Sequence, residues 1–161
     1  MTVLAAAGLM AAAVLLWPVA QAAGSIVGAA AAWMDGPRPG LGHETLGALA
    51  ASGPSDPWWW LSVAMAAVLG PIAEELVYRG LLQQGLKATG LGVGPAVAVT
   101  SVLFALVHLP VLVPGARASG IATLLVLSVA WGLLYERTGR IAAPIVAHAA
   151  FNAANLAIAL G

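Results

Sequence analysis

Long apolar runs separated by short polar breaks organise this chain. Residues 3–33, 57–73 and 118–135 carry no charged side chain, 88–116 hold only His108, and 141–161 hold only His148. A helix that spans a bilayer needs about 20 mostly apolar residues. The pattern therefore predicts an all-α fold, a polytopic transmembrane helical bundle of about five membrane helices. The number becomes six if the first run divides at Pro18, since proline lacks the N–H that a helix interior uses. The first helix covers 3–33. The second runs from Pro57 to about Thr89, and the third starts near Pro95 and weakens at Pro110 and Pro114. The fourth covers about 119–136 and the fifth 141–160. Within the first run, "VAQAAG" offers a small-residue cleavage pattern at Ala20 to Ala22, but no Lys or Arg precedes it. A retained anchor helix is expected rather than a signal peptide.

The breaks give the element ends. Residues 35–57, "DGPRPGLGHETLGALAASGPSDP", form the one sizeable loop, with a short surface helix expected from Glu44 to Ala51. Ser55 or Asp56 followed by Pro57 reads as N-cap and first helical position. Trp58, Trp59 and Trp60 then fall where an interfacial aromatic belt sits. Lys87 lies in the last turn of the second helix with Gly90 as its stop; "GLGVGP" and "ERTG" turn the chain. His43, beside Glu44 in the loop, is expected to be solvated, and Glu136, Arg137 and Arg140 read as turn charges. The chain is one domain, with an anchor helix and extramembrane loop over 1–57 and a helical core over 58–161. Arg79, Lys87, Arg137 and Arg140 lie toward one side, against Arg38 and Arg117 on the other. That bias predicts cytoplasmic turns near 90 and 138, with the 34–57 loop outside.

Composition agrees with the runs. Hydrophobic residues make up 61% of the 161 positions and charged residues 7%, with a mean hydropathy of +0.98. A soluble domain carries about 25% charged residues, so this chain could not cover a water-facing surface and is expected to sit in membrane lipid. A net charge of zero without a basic cluster excludes nucleic acid as a partner. The absence of cysteine excludes disulfides, thiolate metal sites and a cysteine nucleophile.

Against that background "PIAEELVYRGLL", residues 71–82, is anomalous: it holds Glu74, Glu75 and Arg79, three of only twelve charged residues. Ionisable groups at membrane depth are costly and usually face a bundle interior or a watery cavity. Taking the turn near residue 91 as a hairpin mirror, Glu74 lies 17 residues before it and His108 17 after it. Equal rise on both arms brings them to one depth. Glu75 and Arg79 are i,i+4 and can pair, while Glu74 points about 100° away. Phe104 with His108, and His148 with Asn152, are also i,i+4. Phe104 is expected to pack, and His148 and Asn152 to project together. His148 lies only about nine residues from its own turn, so helix tilt, or a second helix protruding near Lys87, is needed to bring it to the depth of Glu74.

Glu74-Glu75-x-x-x-Arg79, Phe104-x-x-x-His108 and His148-x-x-x-Asn152, in this order, resemble the motifs of the CPBP (CAAX protease and bacteriocin-processing, or Abi) family of intramembrane endopeptidases. "YRG" at 78–80 and "GLLYERTGRIAAPIVAH" at 132–148 are similar to that family's surroundings, and the resemblance covers about residues 65–157, making 58–161 its catalytic core. The resemblance implies peptide-bond hydrolysis with Glu74 and His108 activating water and His148 and Asn152 as donors to the oxyanion. Glu75 and Arg79 take structural and electrostatic support. No cofactor is the favoured expectation; a divalent metal such as zinc, held by Glu74, His108 and His148, is the competing one, although H-E-x-x-H is absent. The substrate is expected to be a membrane-proximal peptide or protein. Ala and Gly richness suggests a bacterial plasma membrane, where prenylated tails are generally lacking. Two other classes stay open, a non-catalytic immunity or peptide-binding protein on the same fold and a proton or ion carrier.

Overall fold

The computed structural model describes residues 43–160 together with Pro18, Val19, Ala22, Ala23 and Ile26. Apart from those five residues, the expected anchor helix over 3–33, its division at Pro18 and the signal-peptide question lie outside the described residues, as does the start of the loop. Five helices follow: α1 (Glu44–Ser52), α2 (Pro57–Ala88), α3 (Val93–Val107), α4 (Arg117–Thr138) and α5 (Ala142–Leu160). Short 3-10 turns at Leu109–Val111 and Pro114–Ala116 connect α3 to α4, where the prolines are expected to weaken the helix. No β-strand occurs among the described residues. Four helical stretches, α2, α4, α5 and α3 with its 3-10 turn, are long and apolar enough to cross a bilayer. The protein is a multi-pass helical membrane protein.

Local chemistry accounts for the starts. The Asp56 carboxylate accepts the Trp58 N–H at 2.9 Å, with Pro57 in the first turn, as the sequence predicts. The indole N–H groups of Trp59 and Trp60 donate to the carbonyls of Leu49 and Pro54, which lashes α1 and its following turn to the head of α2. Leu76, Val77 and Leu81 of α2 and Val99, Val102, Leu103 and Leu106 of α3 are exposed. An outward apolar surface of that breadth is stable only against lipid.

α2 is not a uniform α-helix. It widens into π-helix at Met65–Leu69 and again at Leu76–Gln83. The Gly70–Pro71 pair explains the first widening. Pro71 has no N–H to give and its ring crowds the preceding turn. The Gly70 N–H bonds to the Met65 carbonyl five residues back, and a Cβ at Gly70 would lie 2.8 Å from that oxygen. The Ala66 carbonyl is thereby left without a helical donor. The Asn152 side chain supplies one, its Nδ2 lying 2.8 Å away.

α2 and α4 run parallel in fixed register. Arg79 Nη2 donates to the Ser128 carbonyl at 2.9 Å and to its Oγ at 2.7 Å; Gln83 Nε2 donates to the Gly132 carbonyl at 3.3 Å and to Glu136 at 2.8 Å; Lys87 Nζ meets Glu136 at 2.7 Å. The pairs 79/128, 83/132 and 87/136 share one offset of 49 residues. Two corrections follow. Glu136 is not merely a turn charge: three side chains of α2 donate to it, counting Gln84. Arg79, fully buried, is an interior group and leaves the count of interfacial charges used for orientation. Beside the ladder, Phe104, Leu127, Trp131 and Ala147 form the buried core, with Tyr78, Leu124 and Phe151 packed against it.

Candidate active site

A cavity of about 750 Å³ opens between α1, α2, α4 and α5. Glu74, His108, His148 and Asn152 all line it. Glu74 Oε2 lies 3.9 Å from His108 Nε2 and 3.7 Å from His148 Nε2. The hairpin mirror thus brings Glu74 and His108 together as their spacing predicts. His148 joins them despite its shorter distance from the turn. At 32 residues, α2 is roughly 48 Å long against a hydrocarbon core of about 30 Å. It must tilt or protrude, as that meeting requires, and its Lys87 end carries the polar contacts of an element leaving the lipid.

Each imidazole is oriented from behind. His108 Nδ1 lies 2.7 Å from the Phe104 carbonyl, an oxygen one helical turn back on α3. His148 Nδ1 lies 2.9 Å from Glu75 Oε1. Both partners are acceptors, so Nδ1 carries the proton on both rings and Nε2 is the atom turned toward Glu74. His148 is further fixed by stacking on Trp131, with ring centroids 4.0 Å apart and planes within 19°.

Glu75 and Arg79 face away from the cavity into the protein. Their side chains are fully buried and 3.0 Å apart. The Arg79 guanidinium also lies over the rings of Phe104 and Trp131, at 5.0 and 5.6 Å, which adds cation–π attraction to a charge removed from water. The same Glu75 oxygen receives both Arg79 and His148. The carboxylate expected to give general support therefore acts on one particular group, the imidazole that it aims into the cavity. Phe104 packs at the centre of the core, as expected, and also touches the His108 ring at 4.7 Å. Asn152 commits one amide hydrogen to the Ala66 carbonyl; an amide nitrogen carries two, which leaves the second for the cavity.

Sequence reasoning missed Trp131, Ser128 and Gln83, and it misjudged His43. The polar residues of α2 recur at 75, 79, 83 and 87, and those of α4 at 128 and 136 around Gly132; two i,i+4 series at one offset were a legible sign of parallel pairing. His43 is not the solvated loop residue that its neighbours suggest. It is half-buried, caps α1 by accepting the Thr45 N–H at 3.3 Å, and lines the cavity. Burial first, and then the nearby His108, push its pKa below the ordinary 6.5, with Glu44 opposing. Nothing in the local sequence marks this, because the contact comes from α1 folding back over the bundle.

The donor types of Glu74, His108 and His148 suit zinc. Ligands about 2.0–2.1 Å from a tetrahedral ion lie roughly 3.3 Å apart, and the two carboxylate–imidazole separations are wider. Among the described residues no group of three His, Asp or Glu side chains is arranged to hold a metal.

Comparison with known proteins adds one match. Residues 56–154 fit the family model described as type II CAAX prenyl endopeptidase Rce1-like. That segment holds α2 to α4, most of α5 and every motif residue named above. No curated protein and no solved structure matches the chain significantly.

Proposed function

The chain belongs to the Rce1-like family of type II CAAX prenyl endopeptidases, and from that membership we propose that its cavity hydrolyses a peptide bond of a membrane-proximal peptide by glutamate-activated water. At family level it is a membrane peptidase; the mechanism and residue roles are the proposal. One observation carries it: a carboxylate on α2, about one-third exposed, faces two imidazole nitrogens, from the C-cap of α3 and from α5, across one cavity at 3.9 and 3.7 Å. Those distances are too long for direct hydrogen bonds and leave room for a small bridging molecule.

A water held between Glu74 Oε2 and His108 Nε2 is polarised by two acceptors. Its oxygen attacks the scissile carbonyl carbon while its proton passes to Glu74. Negative charge then grows on the carbonyl oxygen. The second N–H of Asn152 is one donor to it, and His148, in its imidazolium form, offers Nε2–H as another. Glu75 holds Nδ1 and so turns Nε2 toward the cavity. The proton taken by Glu74 goes to the leaving amine as the C–N bond breaks. Water thus ends as a carboxyl group and an amine, with no redox partner needed. No step of this route is assigned to a metal.

The test uses full-length protein in lipid nanodiscs, with a farnesylated CAAX peptide and the same peptide lacking the prenyl group. Wild type should cleave at least one of them. Glu74→Gln should fold and bind but not cleave, since it keeps shape and loses the base. Activity should survive a chelator. Cleavage by Glu74→Gln at the wild-type rate would remove Glu74 from the chemistry. Loss of activity with chelator and return with zinc would replace the metal-free route. Binding without cleavage by wild type would leave a peptide-binding protein on this fold.

A further inference from the structure

Among the described residues, four titratable side chains line the cavity; three already face one another and the fourth is His43. It precedes the matched residues 56–154 and belongs to none of the motifs. Its position is nonetheless fixed twice. Its backbone pairs antiparallel with Leu112, in the segment that leaves His108, and its ring caps α1.

The cap decides the ring's chemistry. Nδ1 accepts the Thr45 N–H, so in the neutral ring the proton sits on Nε2. Burial first and then His108 lower the pKa of the ring, which favours this neutral form. An Nε2–H of this kind is a hydrogen-bond donor only. It offers no lone pair to a metal and nothing to a cationic group, so the ligand chemistry it suits is a hydrogen-bond acceptor, which in a peptide is the backbone carbonyl oxygen. The rim beside it is extended backbone on both sides, with φ/ψ of −126/126° at His43, −88/127° at Leu112 and −62/144° at Val113. A peptide lying along such a rim presents its carbonyls edge-on.

We propose that His43 is a substrate-holding residue, donating Nε2–H to a backbone carbonyl of an extended peptide that enters the cavity across the rim made with Leu112. This rests on the peptidase reading for the identity of the ligand, but its test is a binding measurement.

Asn and Gln separate the two nitrogens of the ring. His43→Asn keeps an acceptor near the Nδ1 position, and Asn is a strong N-cap, but it removes the distal donor. His43→Gln places an amide N–H near the Nε2 position and weakens the cap. Both are made in the Glu74→Gln background, and the dissociation constant is read with the farnesylated CAAX peptide carrying a fluorophore. His43→Asn should melt like its parent and bind about tenfold more weakly, the scale of one hydrogen bond. His43→Gln should melt lower yet recover most of the affinity. With Glu74 restored, the loss in His43→Asn should fall on KM more than on kcat. Unchanged affinity in His43→Asn overturns the proposal, as does affinity that merely follows melting temperature through both variants, which would make His43 a cap alone. If wild type cleaves nothing while His43→Asn still loses affinity, the peptidase reading fails and the role of His43 stands.

Discussion

Asn152 joins a structural contact and a proposed chemical role in one side chain. One of its amide hydrogens satisfies the Ala66 carbonyl that Gly70 and Pro71 leave without a donor; the other remains for the cavity that Asn152 lines, and the proposed mechanism gives it to the oxyanion. Asn152→Ala should therefore do two things. Leaving a part-buried carbonyl unpaired costs at most about 1–3 kcal/mol, which lowers the melting temperature in detergent. Losing one oxyanion donor lowers kcat by about 10²–10³. A variant that melts lower but turns over normally would confine Asn152 to holding α2 against α5. Glu75 is similarly double, since one oxygen meets Arg79 and His148 together. The burial of that pair supports a fixed imidazole more than it supports net stability, because desolvation offsets much of the attraction in a buried ion pair.

At the scale of elements, Glu74, the carboxylate proposed as the base, sits between two widened stretches of one helix. π-helical turns recur at functional sites, since they free backbone groups and rotate side chains off the regular repeat. Here the first is imposed by Gly70–Pro71, three residues before Glu74. Gly70→Ala would place a methyl 2.8 Å from the Met65 oxygen, and the atom in the way is backbone, which cannot swing aside. The expected result is a displaced first half of α2, a broken Asn152–Ala66 bond, and a loss of peptide hydrolysis larger than the loss of helix content. Circular dichroism with the cleavage assay checks this. Wild-type turnover in Gly70→Ala would mean that the widened turn is incidental to the site.

On the scale of the described bundle, α2 and α4 are held in register by their ladder of hydrogen bonds, and the ladder depends on close approach at Gly132. A Cβ there would lie 3.0 Å from Gln83 Oε1 and 3.1 Å from Val97 Cγ1, so α2, α3 and α4 all meet at this point. Gly132→Leu should force them apart, at a cost at or above the ~1–3 kcal/mol of an overpacked core, and should reduce both melting temperature and activity although no site residue is touched. Gly85→Ala, with open space around it, should be neutral or mildly stabilising, since alanine is the better helix former. Equal melting of the two variants would show that the ladder tolerates a wider spacing.

The apolar runs by themselves determined the all-α class, the four described spans and their ends, because a bilayer demands length and hydropathy that any sequence either has or lacks. Helical spacing determined the Glu75–Arg79 pair and, through the hairpin mirror, the meeting of Glu74 with His108; both rest on the fixed rise and twist of one helix or of two joined by a short turn. The remaining contacts join segments far apart in the chain, and periodicity within a segment carries no information about which neighbour it packs against. Only the tertiary structure decided that Trp131 stacks on His148 and that Glu75 aims that ring. It also turned Glu136 into an acceptor shared by three side chains and brought His43 out of its loop into the cavity. Each needs two or more helices docked at a particular crossing and depth, and the packing of whole side-chain surfaces sets that docking.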